Sequence, residues 1–230
     1  MVDVDDVPVE RHGVWDLYAP TADGPSPAVV FLHGGPLPPG LPVTPRDWPA
    51  YRGYGALAAA AGLVGITVDH PLHGLTEYPA AHAVVEQAVE AARADDRVDA
   101  DRVAVWAFSG GGPLITPWLT RPPAWLRVLA ATYPYLDSVP DFPLPEGFRP
   151  IDALGAPSTP PLVLTRVGLE RPPVAAGMER FLAAAGESGL RVTVVDVPHG
   201  QHGFDTIDPG PELAEAVRSA LGLVAAAVRG

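Results

Sequence analysis

The strongest constraint on this chain is a set of short runs with almost no polar residue in them. They are Ala28-Val29-Val30-Phe31-Leu32, Leu63-Val64-Gly65-Ile66-Thr67-Val68 and Val103-Ala104-Val105-Trp106-Ala107-Phe108. A strand with one face in water alternates apolar and polar residues; one covered on both faces does not. Each run therefore predicts a strand inside a sheet that is covered on both sides. Trp15–Tyr18, Arg127–Thr132, Pro161–Thr165 and Arg191–Val197 add further strands. Helical spacing lies between them: Tyr54–Ala61 with Gly62 as C-cap, Ala80–Ala94, a short helix to about Thr120 stopped by Pro122-Pro123, Val174–Ala185, and Pro211–Val228. In Ala80–Ala94, Val84, Ala88 and Ala91 share one predicted face, with Glu86, Glu90 and Arg93 more exposed. Strands alternating with helices predict an α/β fold. Its sheet is mostly parallel, joined by right-handed crossovers, with helices on both faces. The length of 230 residues suits one domain, 1–230.

Ligands of such sheets bind at the carboxyl ends of the strands. His33-Gly34-Gly35, Asp69, Ser109 and the segment after Thr165 all fall there. The strand ending at Phe108 runs straight into Ser109-Gly110-Gly111-Gly112. A strand, a serine at a sharp turn and then a helix make a nucleophile elbow, whose glycines keep the crowded apex free of side chains. A serine here also suits a helix N-cap, and glycines after a strand suit a phosphate loop. However, neither G-x-G-x-x-G nor G-K-[ST] is present.

Acyl transfer by serine needs a base, an acid to orient it and donors for the oxyanion. The base is expected after the last strand, in Pro198-His199-Gly200-Gln201-His202-Gly203-Phe204-Asp205. His202 is the first choice there and His199 the second. The pair also reads as H-x-x-H, a metal pair lacking a third ligand at suitable spacing. Glu170 is the expected acid, and Asp137, after the preceding strand, is its rival. The order Ser109, Glu170, His202 matches one known convergent solution. Backbone N–H groups of Gly110 and of Gly34 or Gly35 are the expected oxyanion donors. His33 reads as a packed support; His70, His73 and His82 have no partner pattern.

Composition narrows the function classes. The net charge of −12 argues against nucleic acid or an anionic membrane surface as partner. Without cysteine there are no disulfides and no thiolate metal sites. The acidic start Met1-Val2-Asp3-Val4-Asp5-Asp6 does not read as a signal peptide, and the mostly apolar run Gly55–Val68 is too short to span a bilayer. Expected, then, is a cytoplasmic protein, a monomer or homodimer, with a small-molecule acyl substrate and with no cofactor and no metal.

These residues resemble the α/β-hydrolase family, most closely its dienelactone-hydrolase-like branch of small members. Val29-Val30-Phe31-Leu32-His33-Gly34-Gly35 looks like the family's oxyanion strand and loop. Val98-Asp99-Ala100-Asp101-Arg102-Val103 is similar to the phrase that leads into the elbow. Ala107-Phe108-Ser109-Gly110-Gly111 resembles the elbow itself, and His202-Gly203-Phe204-Asp205 the catalytic-histidine phrase. The resemblance implies Ser109 as nucleophile, His202 as base, Glu170 as acid, and Gly34 or Gly35 with Gly110 as oxyanion hole. Three features depart from the pattern. Ala107 stands for the usual first glycine, Glu170 for the commoner Asp, and Ser109 for the Cys of some branch members. The implied activity is hydrolysis of a small ester, lactone or thioester. The same scaffold also hosts lyases, cyclases, perhydrolases and acyltransferases, and a binding protein with a dead triad is a further alternative. The segment from Asp137 to Pro150, where larger members insert a lid domain, is a short Pro-rich loop, so no lid is expected. The nearby aromatics Trp118, Tyr133, Tyr135 and Phe142 suit either a pocket lining or plain packing.

Overall fold

A computed structural model describes residues 7–207 and 210–230. The acidic run at 1–6 lies outside the described residues. Eight strands form one sheet: β1 (Val9–His12), β2 (Trp15–Tyr18), β3 (Ser26–Leu32), β4 (Val64–Val68), β5 (Val98–Phe108), β6 (Leu126–Thr132), β7 (Leu162–Leu169) and β8 (Val192–Gln201). The helices are α1 (Pro49–Ala60), α2 (Tyr78–Arg93), α3 (Thr116–Thr120), α4 (Pro172–Ser188), α5 (Phe204–Ile207) and α6 (Pro211–Arg229). The strand order is β1-β2-β4-β3-β5-β6-β7-β8. β1 and β2 run antiparallel at one edge, and every pairing from β4 to β8 is parallel.

The apolar runs lie in the middle of the sheet, where both faces are buried. All seven residues of β3 and all five of β4 are buried. Side chains alternate between two cores, as the two-residue period of a strand requires. Val30, Leu32, Val105 and Ala107 face α2, α3 and α4, meeting Val85, Leu119 and Phe181. Val29, Phe31, Trp106 and Phe108 face α1 and α6, meeting Tyr54, Ala58 and Val224. Trp106, 1% exposed, donates its indole N–H to the Thr132 hydroxyl at 2.8 Å, so its burial strands no donor.

Several elements differ from expectation for identifiable reasons. β1 was not predicted because its sequence, Val9-Glu10-Arg11-His12, is an outer strand with three exposed residues and no buried one. α1 starts five residues early, at Pro49, whose fixed φ suits a first turn. α2 buries Ala88 as expected, but with Val85, Val89 and Ala92 beside it in place of Val84 and Ala91. The β-branched pair Val85 and Val89, four residues apart, takes the core, and Ala91 is left exposed. β8 continues past Pro198 to Gln201 because it is the other edge strand, where proline's missing N–H breaks no ladder.

α1 lies unusually close to the sheet. A side-chain carbon on Gly65 of β4 would come within 2.5 Å of the Gly55 carbonyl oxygen. Two glycines thus meet where α1 crosses β4.

Candidate active site

β3 and β5 are neighbours in the sheet, with Leu32 opposite Ala107, so the loop after Leu32 and the turn after Phe108 emerge side by side. Ser109 leaves β5 with φ +51°, in the left-handed region that a residue with a Cβ enters at a cost. A 3₁₀ helix follows from Ser109 to Ile115. Two glycines of this turn are fixed by contact. A Cβ on Gly110 would overlap the Gly35 carbonyl oxygen, and one on Gly111 would overlap the His33 carbonyl oxygen. Ala107, at the first elbow position, is fully buried in the strand and its methyl joins the core beside α2. Glycine is therefore not required there. The Tyr78 hydroxyl donates to the Gly110 carbonyl at 2.6 Å, and the Tyr135 N–H to the Ser109 carbonyl at 3.2 Å, which pins the turn from both sides.

β7 and β8 deliver two further groups to Ser109. The Ser109 Oγ lies 2.6 Å from His202 Nε2, and His202 Nδ1 lies 2.5 Å from Glu170 Oε2. With Nδ1–H donating to the carboxylate, Nε2 is free to accept the serine proton. The Glu170 side chain is 5% exposed, and its Oε1 accepts the backbone N–H of Arg171 at 2.7 Å. The chain after β8 turns through Gly203, with φ +78°, and is anchored by the fully buried Phe204.

The rival groups are engaged elsewhere. Asp137, 4% exposed, accepts from Arg149 Nε and Arg180 Nε, each at 2.7 Å. Burial pushes its carboxyl up, but the Arg149 and Arg180 hydrogen bonds outweigh this and hold it below the ordinary range. The His199 side chain is 83% exposed and faces Glu212 at 3.1 Å. Among the described residues no group of three or more His, Asp or Glu is arranged to hold a metal ion.

On the oxyanion side the two candidate glycines differ. The Gly34 N–H donates to the Tyr51 hydroxyl at 3.1 Å. The Gly35 N–H has no hydrogen-bond partner among the described residues. Gly110, second in its 3₁₀ helix, has no intrahelical acceptor for its N–H. Below this loop His33 stacks on His70, ring centroids 3.6 Å apart. His33 Nδ1–H donates to the Gly34 carbonyl at 2.6 Å, and its Nε2 accepts the His70 N–H at 3.2 Å. His70 Nε2–H donates back to the His33 carbonyl at 3.1 Å. Burial pushes His33 down to about 4 and His70 well below its ordinary value, so the pair is neutral. His33 is thus a packed support, and its partner His70 was missed because nothing in sequence joins positions 33 and 70. His82 is buried against Trp118, its Nδ1–H donating to the Leu114 carbonyl, and the exposed His73 caps loop carbonyl Leu37.

The aromatics divide. Trp118 packs on Trp125 and His82. Tyr133 and Tyr135 flank the imidazole, with centroids 4.7 Å and 6.0 Å from that of His202, and Phe142 stacks on Tyr135 at 4.3 Å. The Tyr135 hydroxyl also contacts Arg171. A cavity of about 420 Å³ lies beyond Glu170, walled by Pro134, Val167, Val174 and Met178. The last residue of the His202-Gly203-Phe204-Asp205 phrase has partners that the sequence does not indicate. Asp205, half-buried in the histidine turn, accepts from the hydroxyls of Tyr54, at 2.8 Å, and Tyr133.

The sheet order, the elbow and the placement of these groups define an α/β-hydrolase fold. Solved structures agree on the fold. A thermostable esterase from Pseudomonas putida superposes with a TM-score of 0.77 at 18% identity, covering 99% of this chain and 86% of that one. An esterase from Pyrobaculum calidifontis gives 0.73 at 20% identity, covering 99% and 86%. Thermogutta terrifontis esterase 2, solved phosphonylated by cyclosarin, gives 0.71 at 18% identity, covering 96% and 92%. No protein-family model matches the chain, and no curated protein sequence does. Among the described residues no helix is long and apolar enough to cross a membrane.

Proposed function

We propose that the chain is a carboxylesterase-like serine hydrolase that cleaves a small ester, lactone or thioester through an acyl-enzyme on Ser109. One observation carries the reading: the continuous hydrogen-bonded line from Ser109 Oγ through both nitrogens of His202 to Glu170. His202 takes the Ser109 proton as the oxygen attacks the carbonyl carbon. Glu170 holds the ring in the tautomer this requires and stabilises the imidazolium. The N–H groups of Gly35 and Gly110 receive the developing oxyanion; Gly34 already serves Tyr51. His202 then protonates the departing alcohol or thiol, and water, deprotonated by the same nitrogen, cleaves the acyl-enzyme. That the fold neighbours include esterases, one of them solved with a phosphonyl group attached, supports acyl chemistry. The short Asp137–Pro150 segment and the His-Gly-Phe phrase support the dienelactone-hydrolase-like branch within the fold.

A panel of p-nitrophenyl esters and lactones of graded length, run on wild type and Ser109→Ala together, tests this. Ser109→Ala is expected to lose about 10⁴-fold or more in kcat while keeping its circular dichroism and melting temperature. Turnover unchanged by that substitution would sink the reading.

A further inference from the structure

Asp205 is a half-buried carboxylate that the proposed mechanism does not use. It lies three residues after His202 on the same turn. Its Oδ2 accepts the Tyr54 hydroxyl from α1, and its Oδ1 accepts the Tyr133 hydroxyl from the end of β6. Two phenol donors on two separate oxygens suit the ionised form, which has no proton of its own to place. Drawing a charge even partly out of water is costly unless it is hydrogen-bonded, so its presence here needs a reason.

The surroundings supply one. Tyr133, held by Asp205 through its hydroxyl, lays its ring beside the His202 imidazole, and its backbone is at φ +38°. Phe204, next to Asp205, packs edge-on against the same Tyr133 ring. Tyr51, one turn from Tyr54 on α1, accepts the Gly34 N–H. One carboxylate thus ties together the histidine turn, the residue beside the imidazole and the helix that fastens the loop bearing Gly34 and Gly35. The ionisable groups facing Asp205 are Tyr51, Tyr54, Tyr133 and His202. Those facing His202 are Ser109, Glu170, Tyr133, Tyr135 and Asp205. Asp205 is therefore a second negative charge near an imidazole that must become positive during the reaction.

We propose that Asp205, clamped by Tyr54 and Tyr133, is a positioning residue: it fixes His202 in line with Ser109, and its charge favours the imidazolium. The inference rests on the Ser109–His202–Glu170 reading. It predicts that Asp205→Asn loses about 10- to 100-fold in kcat with KM little changed, because misplacement of a catalytic group by a fraction of an ångström has effects of that size. It also predicts that the acid limb of kcat/KM moves to lower pH, since removing a nearby negative charge disfavours the charged ring. A merely structural role would lower activity and leave that limb in place.

The test is steady-state hydrolysis of p-nitrophenyl acetate from pH 5 to 9, with fluorophosphonate labelling of Ser109. It covers wild type, Asp205→Asn, Tyr54→Phe and Tyr133→Phe, each checked by circular dichroism. The two Tyr→Phe variants keep the rings and remove only a donor, so they carry the test if Asp205→Asn does not fold; each is then expected to lower kcat and slow labelling. The proposal is overturned by wild-type kcat in the variants that fold, or by a loss in Asp205→Asn with the acid limb unmoved. A wild type that neither turns over nor labels removes the triad reading, and this one with it. A wild type that does both while the variants match it removes this one alone.

Discussion

Glu170 and Asp137 are both nearly buried carboxylates close to the carboxyl ends of strands, and their partners separate them. Glu170 points one oxygen at His202 and the other at a backbone N–H. Asp137 is committed to Arg149 and Arg180. Glu170→Gln replaces the acceptor that holds Nδ1–H and is expected to lower kcat by about 10²- to 10⁴-fold. Asp137→Asn leaves the His202 geometry alone and is expected to change kcat by less than about 10-fold, its cost appearing in stability at about 1–3 kcal/mol. Parallel kinetics and urea melts of the two variants check the pair. Asp137 supplies stability that is present above the unfolded carboxylate range and fades as pH falls through its depressed value.

Among the elements, the elbow is the least forgiving. The Gly110 backbone sits directly against the Gly35 peptide, and both are backbone atoms that cannot rotate away. Gly110→Ala is therefore expected to cost about 3 kcal/mol or more, read as a drop in the urea midpoint, with fluorophosphonate labelling slowed. This turn was legible in the sequence because the strand, serine and glycines are contiguous. The central strands were legible too, since Ala28–Leu32 and Val103–Phe108 carry no polar residue that would suit an exposed face. β1 was not, because an outer strand is held by its ladder to β2 and buries nothing. Glu170 and His202 could be placed from the strands that precede them. Tyr51, Tyr54, Tyr133 and Asp205 could not: their meeting is made by α1, β6 and α5 converging, and singly each looks like an ordinary aromatic or loop acid.

For the molecule as a whole, the neutral His33–His70 stack links stability to pH. His33 has its folded value lowered to about 4, whereas an unfolded histidine titrates near 6.5. Between these values the unfolded chain binds protons that the native chain refuses. The stability contributed by a neutral His33 is thus fully present above about pH 6.5 and is lost as pH falls toward 4, about 3 kcal/mol in all. Urea midpoints at pH 7.5, 6 and 4.5 are expected to fall in that order, and His33→Gln to flatten the fall.

The seating of α1 on β4 gives the sheet a lever on chemistry it does not touch. Gly55 and Gly65 set how deep that helix lies, and so where the hydroxyls of Tyr51 and Tyr54 end up. Gly65→Ala would push the helix outward at Gly55, the residue next to Tyr54 and one turn from Tyr51. The variant is expected to bind a short ester with near-normal KM yet turn it over about 10-fold or more slowly. Pre-steady-state kinetics on Gly65→Ala would show the loss in acylation, making a residue in mid-sheet behave as a timing screw for the serine.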